Sequence, residues 1–169
     1  DTVYGEIAYG LENFGVPVAE IKTRVEKIME ITNTTYLQEK NPFELSGGMR
    51  KRAVIIRALA QNPDIIYMDE PFGPLDVFTR EKLQGEILKM WMERKNTIIY
   101  ITHDISEAIT LADRIVLLSY RPSRIKAEYI VDIPRPRNIE ECKYDPEFLK
   151  LEKQIWSDIK DELRFDDTE

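Results

Sequence analysis

The amino-acid sequence predicts an α/β protein with a mostly parallel sheet. Two short apolar segments, residues 65–68 and 97–102, are followed by ionisable residues, Asp69-Glu70 and His103. Segments with apolar residues three and four positions apart, typical of helices, lie between and around them. Strands that alternate with helices are joined by crossover connections, which place consecutive strands parallel to each other.

Two amphipathic helices are predicted in the first third of the chain. One covers residues 18–31, where one apolar face contains Val18, Ile21, Val25, Ile28 and Met29. After a polar break that ends in Asn41-Pro42, Ser46 and two glycines precede a helix-like run from Met49 to Gln61. Asn62-Pro63 ends this run, because proline disfavours helical backbone in the residue before it.

A strand that is buried on both faces is predicted directly after Asp64. Residues 65–68 are all apolar, whereas a strand with one exposed face alternates apolar and polar side chains. A helix follows from about Val77 to Arg94, with Asp76 as its N-cap. The apolar side of this helix contains Leu83, Ile87, Met90 and Trp91.

The last part of the chain is predicted to hold three strands and two helices. A second buried strand, Thr97 to Thr102, is followed by a short helix that carries Ile105, Ala108, Ile109 and Ala112. Strands at residues 115–119 and 126–133 come next, and residues 135–137 begin a linker. Asp145-Pro146 begins the last helix. Its apolar stripe, which we interpret as a packing surface for the core or a partner, contains Phe148, Leu151, Ile155, Trp156, Ile159 and Leu163.

Composition and charge restrict the class of protein. The chain has 169 residues, 43% hydrophobic and 33% charged, which is typical of a globular protein with one core. Its net charge of -7 and scattered Lys and Arg residues argue against nucleic-acid binding. The single cysteine, Cys142, excludes an intrachain disulfide. No apolar run approaches the ~20 residues that cross a bilayer, so a membrane function needs a partner that supplies the span.

The acidic pair Asp69-Glu70 is the first candidate site. In an open parallel sheet, functional groups collect past the carboxyl ends of strands. An aspartate there can hold Mg²⁺, directly or through water, and the adjacent glutamate can orient or deprotonate an attacking water. Taken alone, the pair is explained equally well as the surface end of a strand.

Ser46, Gly47 and Gly48 are a candidate phosphate site. At a helix start they offer backbone N–H groups, a hydroxyl and the positive end of the helix dipole to an anion. In isolation the same residues are explained more simply as an N-cap with glycines for a tight approach. The only histidine, His103, also has a simpler explanation, as a cap of the following helix or a packed residue at a strand end.

Four segments in one order resemble the ABC ATPase family. Residues 45–52 match its signature, residues 64–71 match Walker B with its catalytic glutamate, residues 73–76 match the D-loop, and residues 102–104 match the switch-histidine loop. The order and spacing of the four segments favour the functional explanation of each over the simpler one.

The resemblance implies that two subunits face each other head to tail. Each ATP is then held by the P-loop of one subunit and the signature of the other, so Ser46, Gly47 and Gly48 would touch the γ-phosphate bound to the opposite subunit. Closure on ATP and opening after hydrolysis would move a membrane partner. The implied cofactors are ATP and Mg²⁺.

The resemblance also implies roles in hydrolysis for single residues. Asp69 would hold Mg²⁺ through water, and Glu70 would position or activate the attacking water. His103 would bond the γ-phosphate, and Asp76 would couple the two ATP sites.

A partial P-loop NTPase core with a helical subdomain is the implied architecture. We assign residues 1–137 to the C-terminal part of an ABC ATPase domain, with a helical subdomain at about residues 10–44, and residues 138–169 to a C-terminal helical extension. The implied partners are a second ATPase subunit, a transmembrane permease and, indirectly, a solute-binding protein. The subunit would lie at the cytoplasmic face of the membrane and couple ATP hydrolysis to solute import.

The importer subgroup is indicated by three parts of the sequence. Met49, residues 72–83 and residues 121–137 are similar to importers of nitrate, sulfonate, taurine or related compounds. Residues 7–21 also resemble the energy-coupling subunits of vitamin and metal importers. The transported compound therefore stays open.

Departures from the family pattern lead to further expectations. No Gly-x-x-x-x-Gly-Lys-Ser/Thr run occurs in the sequence, and the Q-loop glutamine is missing. We therefore expect Asp1 to be the cut end of a longer subunit and the chain alone to be inactive. The alternative is a regulatory or interaction module that kept the signature face without binding ATP. Lys51 stands where the family has glutamine, and we expect it on the exposed side with little effect.

Overall fold

The computed structural model describes residues 2–73 and 75–163, with side chains described as far as residue 160. Pro74 of the predicted D-loop, the Leu163 side chain of the predicted last stripe and residues 164–169 of the predicted extension lie outside the described residues. The packing of the Cα atoms divides the chain into two units, Asp1–Ile99 and Tyr100–Glu169.

The first unit contains four helices and a strand, followed by the start of a second strand. In chain order these are α1 (Val3–Asn13), α2 (Val18–Ile31), α3 (Gly47–Ala60), β1 (Ile65–Asp69), α4 (Val77–Arg94) and β2 (Thr97–Ile101), the last of which crosses into the second unit. Short 3₁₀ turns at Thr35–Leu37 and Pro42–Glu44 connect α2 to α3.

Helices α1 and α2 pack through apolar residues at helical spacing. Helix α1, which the sequence analysis did not predict, begins where the hydroxyl of Thr2 accepts a hydrogen bond from the Gly5 N–H (3.1 Å), and it buries Val3, Ile7 and Leu11. Helix α2 buries four of its five predicted apolar residues, Ile21, Val25, Ile28 and Met29. The prediction for Val18 was wrong, because this first residue of the helix is 79% exposed.

Helix α3 begins at Gly47, two residues before the predicted start. The Ser46 hydroxyl accepts a hydrogen bond from the Met49 N–H (3.3 Å), which satisfies one donor of the first turn. The buried face of the helix contains Arg52, Ile56, Leu59 and Ala60. The helix ends before Asn62-Pro63 as predicted, with Asn62 in the left-handed region (φ 51°).

Strands β1 and β2 form a two-stranded sheet. Thr97, the first residue of β2, donates its N–H to the carbonyl of Asp64 just before β1 (3.0 Å), so both strands begin at the same edge and run parallel. The prediction of burial on both faces was wrong. Ile66 and Met68 are buried, but Ile65 and Tyr67 are exposed, because no described element of the first unit covers their face of β1.

Helix α4 starts as predicted from the Asp76 cap. The carboxylate of Asp76 accepts a hydrogen bond from the Thr79 N–H (3.0 Å). Leu83, Ile87 and Met90 are buried, as their spacing predicts. Trp91 is half-buried, and its indole N–H donates to the carbonyl of Asn96 (2.9 Å).

The second unit joins a hairpin to two helices. Its elements are α5 (Ile105–Leu111), β3 (Arg114–Leu118), β4 (Ile125–Ile130) and α6 (Pro146–Leu163). Asp145 accepts a hydrogen bond from the Glu147 N–H (2.8 Å) at the start of α6, in agreement with the predicted helix start. The core of this unit contains Ile109, Tyr129, Val131, Ile133, Cys142, Phe148, Leu151 and Ile155.

Strands β3 and β4 pair antiparallel, with Arg114 opposite Ile130 and Leu118 opposite Ile125. This pairing adds an antiparallel hairpin to the predicted parallel arrangement, since the six residues between the strands are too few for a helical crossover. In α6, Phe148, Leu151 and Ile155 of the predicted stripe are buried, whereas Trp156 is 47% exposed. None of the described helices has the length and apolar character to cross a membrane.

Residues 135–137, where the sequence predicts the start of a linker, lie in the segment without helix or strand between β4 and α6, and Arg137 packs this segment onto α5. The Arg137 side chain is buried, and its guanidinium donates to the carbonyls of Ile109, Thr110 and Ala112 at the end of α5 (3.1, 3.1 and 2.7 Å). It also donates to the Ile133 carbonyl (3.1 Å). Burial lowers the pKa of Arg137, but a guanidinium stays charged at neutral pH. Arg137 therefore fixes this segment to the end of α5 through hydrogen bonds.

Candidate functional site

The acidic turn, Asp69–Gly73, carries two of the predicted site residues. Asp69 is the last residue of β1, and both it and Glu70 are exposed. The Glu70 backbone lies in the left-handed region (φ 41°), and the Gly73 N–H donates to the Glu70 carbonyl (3.3 Å). Phe72, which is 0% exposed, anchors the turn in the core of the unit. The chain therefore reverses directly after the strand and leaves both carboxylates at the surface.

Gly73 lies beside Glu70, and its position leaves room for a Cβ atom. A Cβ atom at this position would lie 3.7 Å from the Glu70 carbonyl and 3.9 Å from a carboxylate oxygen of Glu70. Both distances correspond to ordinary van der Waals contact, so a larger side chain at position 73 would occupy space beside the Glu70 carboxylate.

The predicted phosphate site lies at the start of α3. Ser46 and Gly47 are exposed, and a Cβ atom added to Gly47 would meet no atom within 4 Å. At Gly48 an added Cβ would lie 3.6 Å from side-chain atoms of both Leu75 and Thr79. The start of α3 therefore packs beside the start of α4, with one glycine facing open space and the other facing a neighbouring helix.

Asp76, the N-cap of α4, lies in the sequence between Leu75 and Thr79, the two residues that face Gly48. Hydrogen bonds from the side chain and then the backbone N–H of Thr79 lower the pKa of Asp76. The carboxylate is therefore ionised at neutral pH. The structure brings Asp76 and the Ser46-Gly47-Gly48 segment into one neighbourhood, while coupling between two ATP sites stays a prediction.

Lys51 connects α3 to the acidic turn, which the sequence analysis did not predict. Its ammonium donates to the carbonyl of Pro71 (2.6 Å) and to the carbonyl of Glu70 (3.4 Å). The expectation of a side chain on the exposed side was wrong, because Lys51 is half-buried. The contact spans twenty residues of sequence to Pro71, so no local pattern could have revealed it.

A buried ion pair joins α3 and α4 behind these residues. The guanidinium of Arg52 lies 3.7 Å from the Glu86 carboxylate, with side chains 8% and 6% exposed. Burial raises the pKa of Glu86, and the charge of Arg52 opposes this shift. The apolar face of α3 gives a signal for Arg52, since it lies one turn before the buried Ile56.

The histidine loop, Thr102–Asp104, lies in the second unit. His103 is exposed. The Thr102 hydroxyl accepts a hydrogen bond from the Asp104 N–H (3.0 Å) and donates to the carboxylate of Glu107 (2.9 Å). The Tyr100 hydroxyl donates to the same carboxylate oxygen (2.9 Å). The buried Glu107 side chain is therefore the acceptor that both hydroxyls share.

Asp104, rather than His103, is the N-cap of α5. Its carboxylate accepts a hydrogen bond from the Glu107 N–H (3.1 Å). The alternative explanation of His103 as the cap of the following helix is therefore wrong. The sequence analysis missed Glu107, although its position in the first turn after the histidine loop places it within reach of residues 100–102.

The acidic turn is compatible with a magnesium ion that arrives with a nucleotide. The described residues include no cluster of three or more His, Cys, Asp or Glu side chains that could hold a metal ion. Mg²⁺ retains several waters and is commonly bound by one or two carboxylates plus substrate phosphates. Asp69, exposed at the end of β1, fits that requirement.

Comparison with protein families gives a match over the N-terminal part of the chain. The family model described as ABC transporter matches residues 3–73, which include α1 to α3, β1 and the acidic turn. The signature segment and Walker B segment both lie inside the matched residues.

Curated relatives extend the similarity over nearly all of the chain. An uncharacterised ABC transporter ATP-binding protein of Methanocaldococcus jannaschii is 40% identical over 162 residues, covering 96% of this chain and 59% of the relative. The taurine import ATP-binding protein TauB of Roseobacter denitrificans is 38% identical, covering 95% of this chain and 61% of the relative. The chain thus spans about 60% of the length of these relatives.

Solved structures agree with the predicted fold class. CbiO1 of Clostridium perfringens, described as part of the ABC transporter complex cbiONQ, superposes with a TM-score of 0.67 at 26% identity, over 88% of this chain and 55% of that one. A dimeric bacterial ABC transporter cassette gives a TM-score of 0.57 at 31% identity, over 70% of this chain and 50% of that one. These similarities confirm an α/β fold of the P-loop NTPase type.

Proposed function

Because this chain belongs to the family of ABC transporter ATP-binding proteins, we propose that it is the signature-bearing part of a subunit that couples ATP hydrolysis to import of a small solute. The observation that carries the proposal is that three predicted site segments lie close together. Gly48 packs beside the start of α4, which Asp76 caps, and Lys51 connects the same helix α3 to the acidic turn. The chain spans about 60% of the length of the relatives it matches, so the activity of a whole subunit is a proposal here.

The start of α3 would recognise ATP bound to a second subunit. The Ser46 hydroxyl and the first N–H groups of the helix are suited to a γ-phosphate, because donors and the positive end of a helix dipole converge there. Gly47 leaves this position open, since a Cβ atom there would meet no protein atom within 4 Å. The site is complete only when a second copy presents its bound nucleotide.

The acidic turn would supply hydrolysis. Glu70 would accept a proton from the attacking water or hold that water in line with the γ-phosphate. Asp69 would hold Mg²⁺ through water, and the ion neutralises developing charge on the phosphates when bound. His103, in the second unit, would bond the γ-phosphate. Asp76, in the first unit, would couple the two ATP sites.

The proposed partners follow from the same arrangement. We propose a homodimer of ATPase subunits beside a transmembrane permease at the cytoplasmic face of the membrane, served indirectly by a solute-binding protein. The likeness to a dimeric cassette and to a member of the cbiONQ complex supports both partners. The taurine relative supports an importer of small compounds without identifying the substrate.

The alternative function is a regulatory or interaction module. Such a module would keep the signature face for binding alone. No P-loop run occurs in the given sequence, and P-loop amides and lysine provide most contacts to the phosphates in P-loop proteins. The same observation predicts that the chain alone neither binds ATP tightly nor hydrolyses it.

The test is a mixing experiment with two variants of the complete subunit. One variant carries Ser46→Arg, which blocks the signature but leaves the P-loop of its own subunit unchanged. The other carries an intact signature and a disabled P-loop lysine. Both also carry Glu70→Gln, which keeps hydrolysis from hiding the result. Together they form one complete composite site, so the mixture should dimerise with MgATP better than either variant alone.

Light scattering with and without MgATP measures the dimer. Full ATP-driven dimerisation of the Ser46→Arg variant would contradict the assignment of this segment to the partner's nucleotide. Failure of the unmutated complete subunit to bind MgATP in calorimetry would favour the regulatory module.

A further inference from the structure

We propose that Lys51 is a positioning residue for Glu70. Its ammonium holds the acidic turn in the conformation that presents Glu70, and thereby ties the orientation of α3 to the hydrolytic carboxylate of the same subunit. The proposal rests on the proposed function, because it requires that Glu70 acts on the attacking water.

The contact is made on the two carbonyls that follow the end of β1. The Lys51 ammonium lies 2.6 Å from the Pro71 carbonyl oxygen and 3.4 Å from that of Glu70. Hydrogen bonds from a charged donor are stronger than neutral ones. Since both acceptors belong to the main chain, the lysine constrains the backbone of the turn rather than the Glu70 side chain.

The turn needs support from outside because its backbone is strained. Glu70 lies at φ 41°, a region that side chains with a Cβ atom rarely occupy. Such a conformation is unfavourable and persists only where surrounding contacts determine it. Phe72 fixes the far end of the turn, and the Gly73 N–H closes it on the Glu70 carbonyl. Lys51 adds a contact from a different element.

The contact between Lys51 and the acidic turn comes from the helix that begins with the proposed phosphate-binding residues. Lys51 lies about one turn into the helix whose start carries Ser46, Gly47 and Gly48. A change in the orientation of α3 on binding the partner's nucleotide would move the ammonium relative to the Pro71 and Glu70 carbonyls. The signature and the catalytic turn of one subunit are therefore mechanically linked.

The experiment compares four variants of the complete subunit. Lys51→Met removes the charge and keeps the length, Lys51→Arg keeps a cation, and Lys51→Gln keeps a shorter neutral donor. The matched control is Lys27→Met, an exposed lysine on α2 of the same unit. We expect Lys51→Met to lower kcat by about tenfold to a hundredfold, because small displacements of a catalytic group have effects of that size.

The expected pattern separates positioning from a general loss of stability. KM for ATP should change by less than about twofold, since Lys51 contacts no nucleotide of its own subunit in this arrangement. Lys51→Arg should recover most of the activity, Lys51→Gln less, and Lys27→Met should behave as the parent. In Lys51→Met, the Gly73 amide should exchange with solvent several-fold faster because the turn opens more often.

Combination with Glu70→Gln distinguishes the two proposals. If Glu70→Gln lowers turnover to a small but measurable rate, adding Lys51→Met should cause no further loss, because the lysine acts only through Glu70. Parental kcat in Lys51→Met, unchanged Gly73 exchange, or an equal further loss in the Glu70→Gln background would each overturn the role of Lys51. Near-normal turnover of Glu70→Gln would instead overturn the proposed function, and the Gly73 exchange would still report whether Lys51 holds the turn.

Discussion

The acidic turn and the histidine loop each follow a strand of the same sheet, yet the protein fixes them by opposite means. A cation from the preceding helix holds the acidic turn through main-chain carbonyls, across twenty residues of sequence. A buried anion, Glu107, holds the histidine loop through hydroxyl groups only five and seven residues away. The acidic turn is therefore coupled to an element distant in sequence, whereas the histidine loop is supported by residues close to it in sequence.

This difference indicates which loop responds to motion elsewhere. We expect the acidic turn to move with α3, because its outside support comes from that helix. We expect the histidine loop to move with α5, whose first turn supplies Glu107 and whose last turn is held by Arg137. Four substitutions test the contrast.

The largest effect on stability is expected from Arg137→Met. The change leaves carbonyls of the α5 end and of Ile133 without their buried charged donor. We expect the free energy of unfolding to fall by about 3 kcal/mol or more. Urea unfolding monitored by circular dichroism measures the loss. Arg135→Met is the control, since Arg135 donates to the Leu111 carbonyl and pairs with the exposed Asp113, and its loss should be clearly smaller.

The next largest effect is expected from Glu107→Ala. Removal of the carboxylate leaves the half-buried hydroxyls of Tyr100 and Thr102 without their shared acceptor. The free energy of unfolding should fall by about 2 kcal/mol. Glu107→Gln keeps an acceptor oxygen and should lose about half as much. Equal stability of the alanine variant and the parent would remove Glu107 as the support of the histidine loop.

Lys51→Met should cost less stability than either change. Its acceptors lie near the surface, where water can replace the ammonium, so we expect a loss below about 1 kcal/mol. The acidic turn would then combine a small stability effect with a large effect on kcat, whereas the histidine loop shows a large stability effect. A loss that equals that of Glu107→Ala in the same unfolding assay would erase the contrast.

The smallest effect concerns pH and the Arg52–Glu86 pair behind the acidic turn. Burial raises the pKa of Glu86 above its ordinary value. The folded state therefore retains this proton more strongly than the unfolded state, and the associated stability is present at low pH and is lost as pH rises through the folded pKa. Relative to Glu86→Gln, the parent should lose stability as pH rises from the ordinary pKa of a glutamate, about 4.3, through the raised folded-state pKa. Parallel pH profiles of the two proteins would contradict this assignment.

Local patterns predicted most elements of this fold and two of its helix caps, although α1 was missed. Ser46 and Asp76 lie directly before helices, and each cap side chain accepts a hydrogen bond from an N–H three residues later. Asp104 caps α5 with the same geometry but was not predicted as a cap. Such contacts depend only on nearby residues, so the sequence contains the full signal. The order of motifs likewise predicted the family.

Contacts between distant residues could not be predicted in this way. Arg137 donates to carbonyls 25 to 28 residues earlier, so the predicted linker contains a residue that is packed on the end of α5. Lys51 and the Arg52–Glu86 pair also join separate elements. The continuous apolar run of β1 predicted two buried faces, but Tyr67 is 73% exposed because burial depends on which elements cover a strand. These features are set by tertiary packing rather than by propensity.

The left-handed backbone at Glu70 places conformational preference and chemistry in conflict. Glycine is the residue best suited to φ 41°. A Glu70→Gly chain should therefore melt at a higher temperature than the parent in calorimetry while losing the carboxylate proposed for hydrolysis. The proposed role of Glu70 would make this position a trade-off between stability and activity.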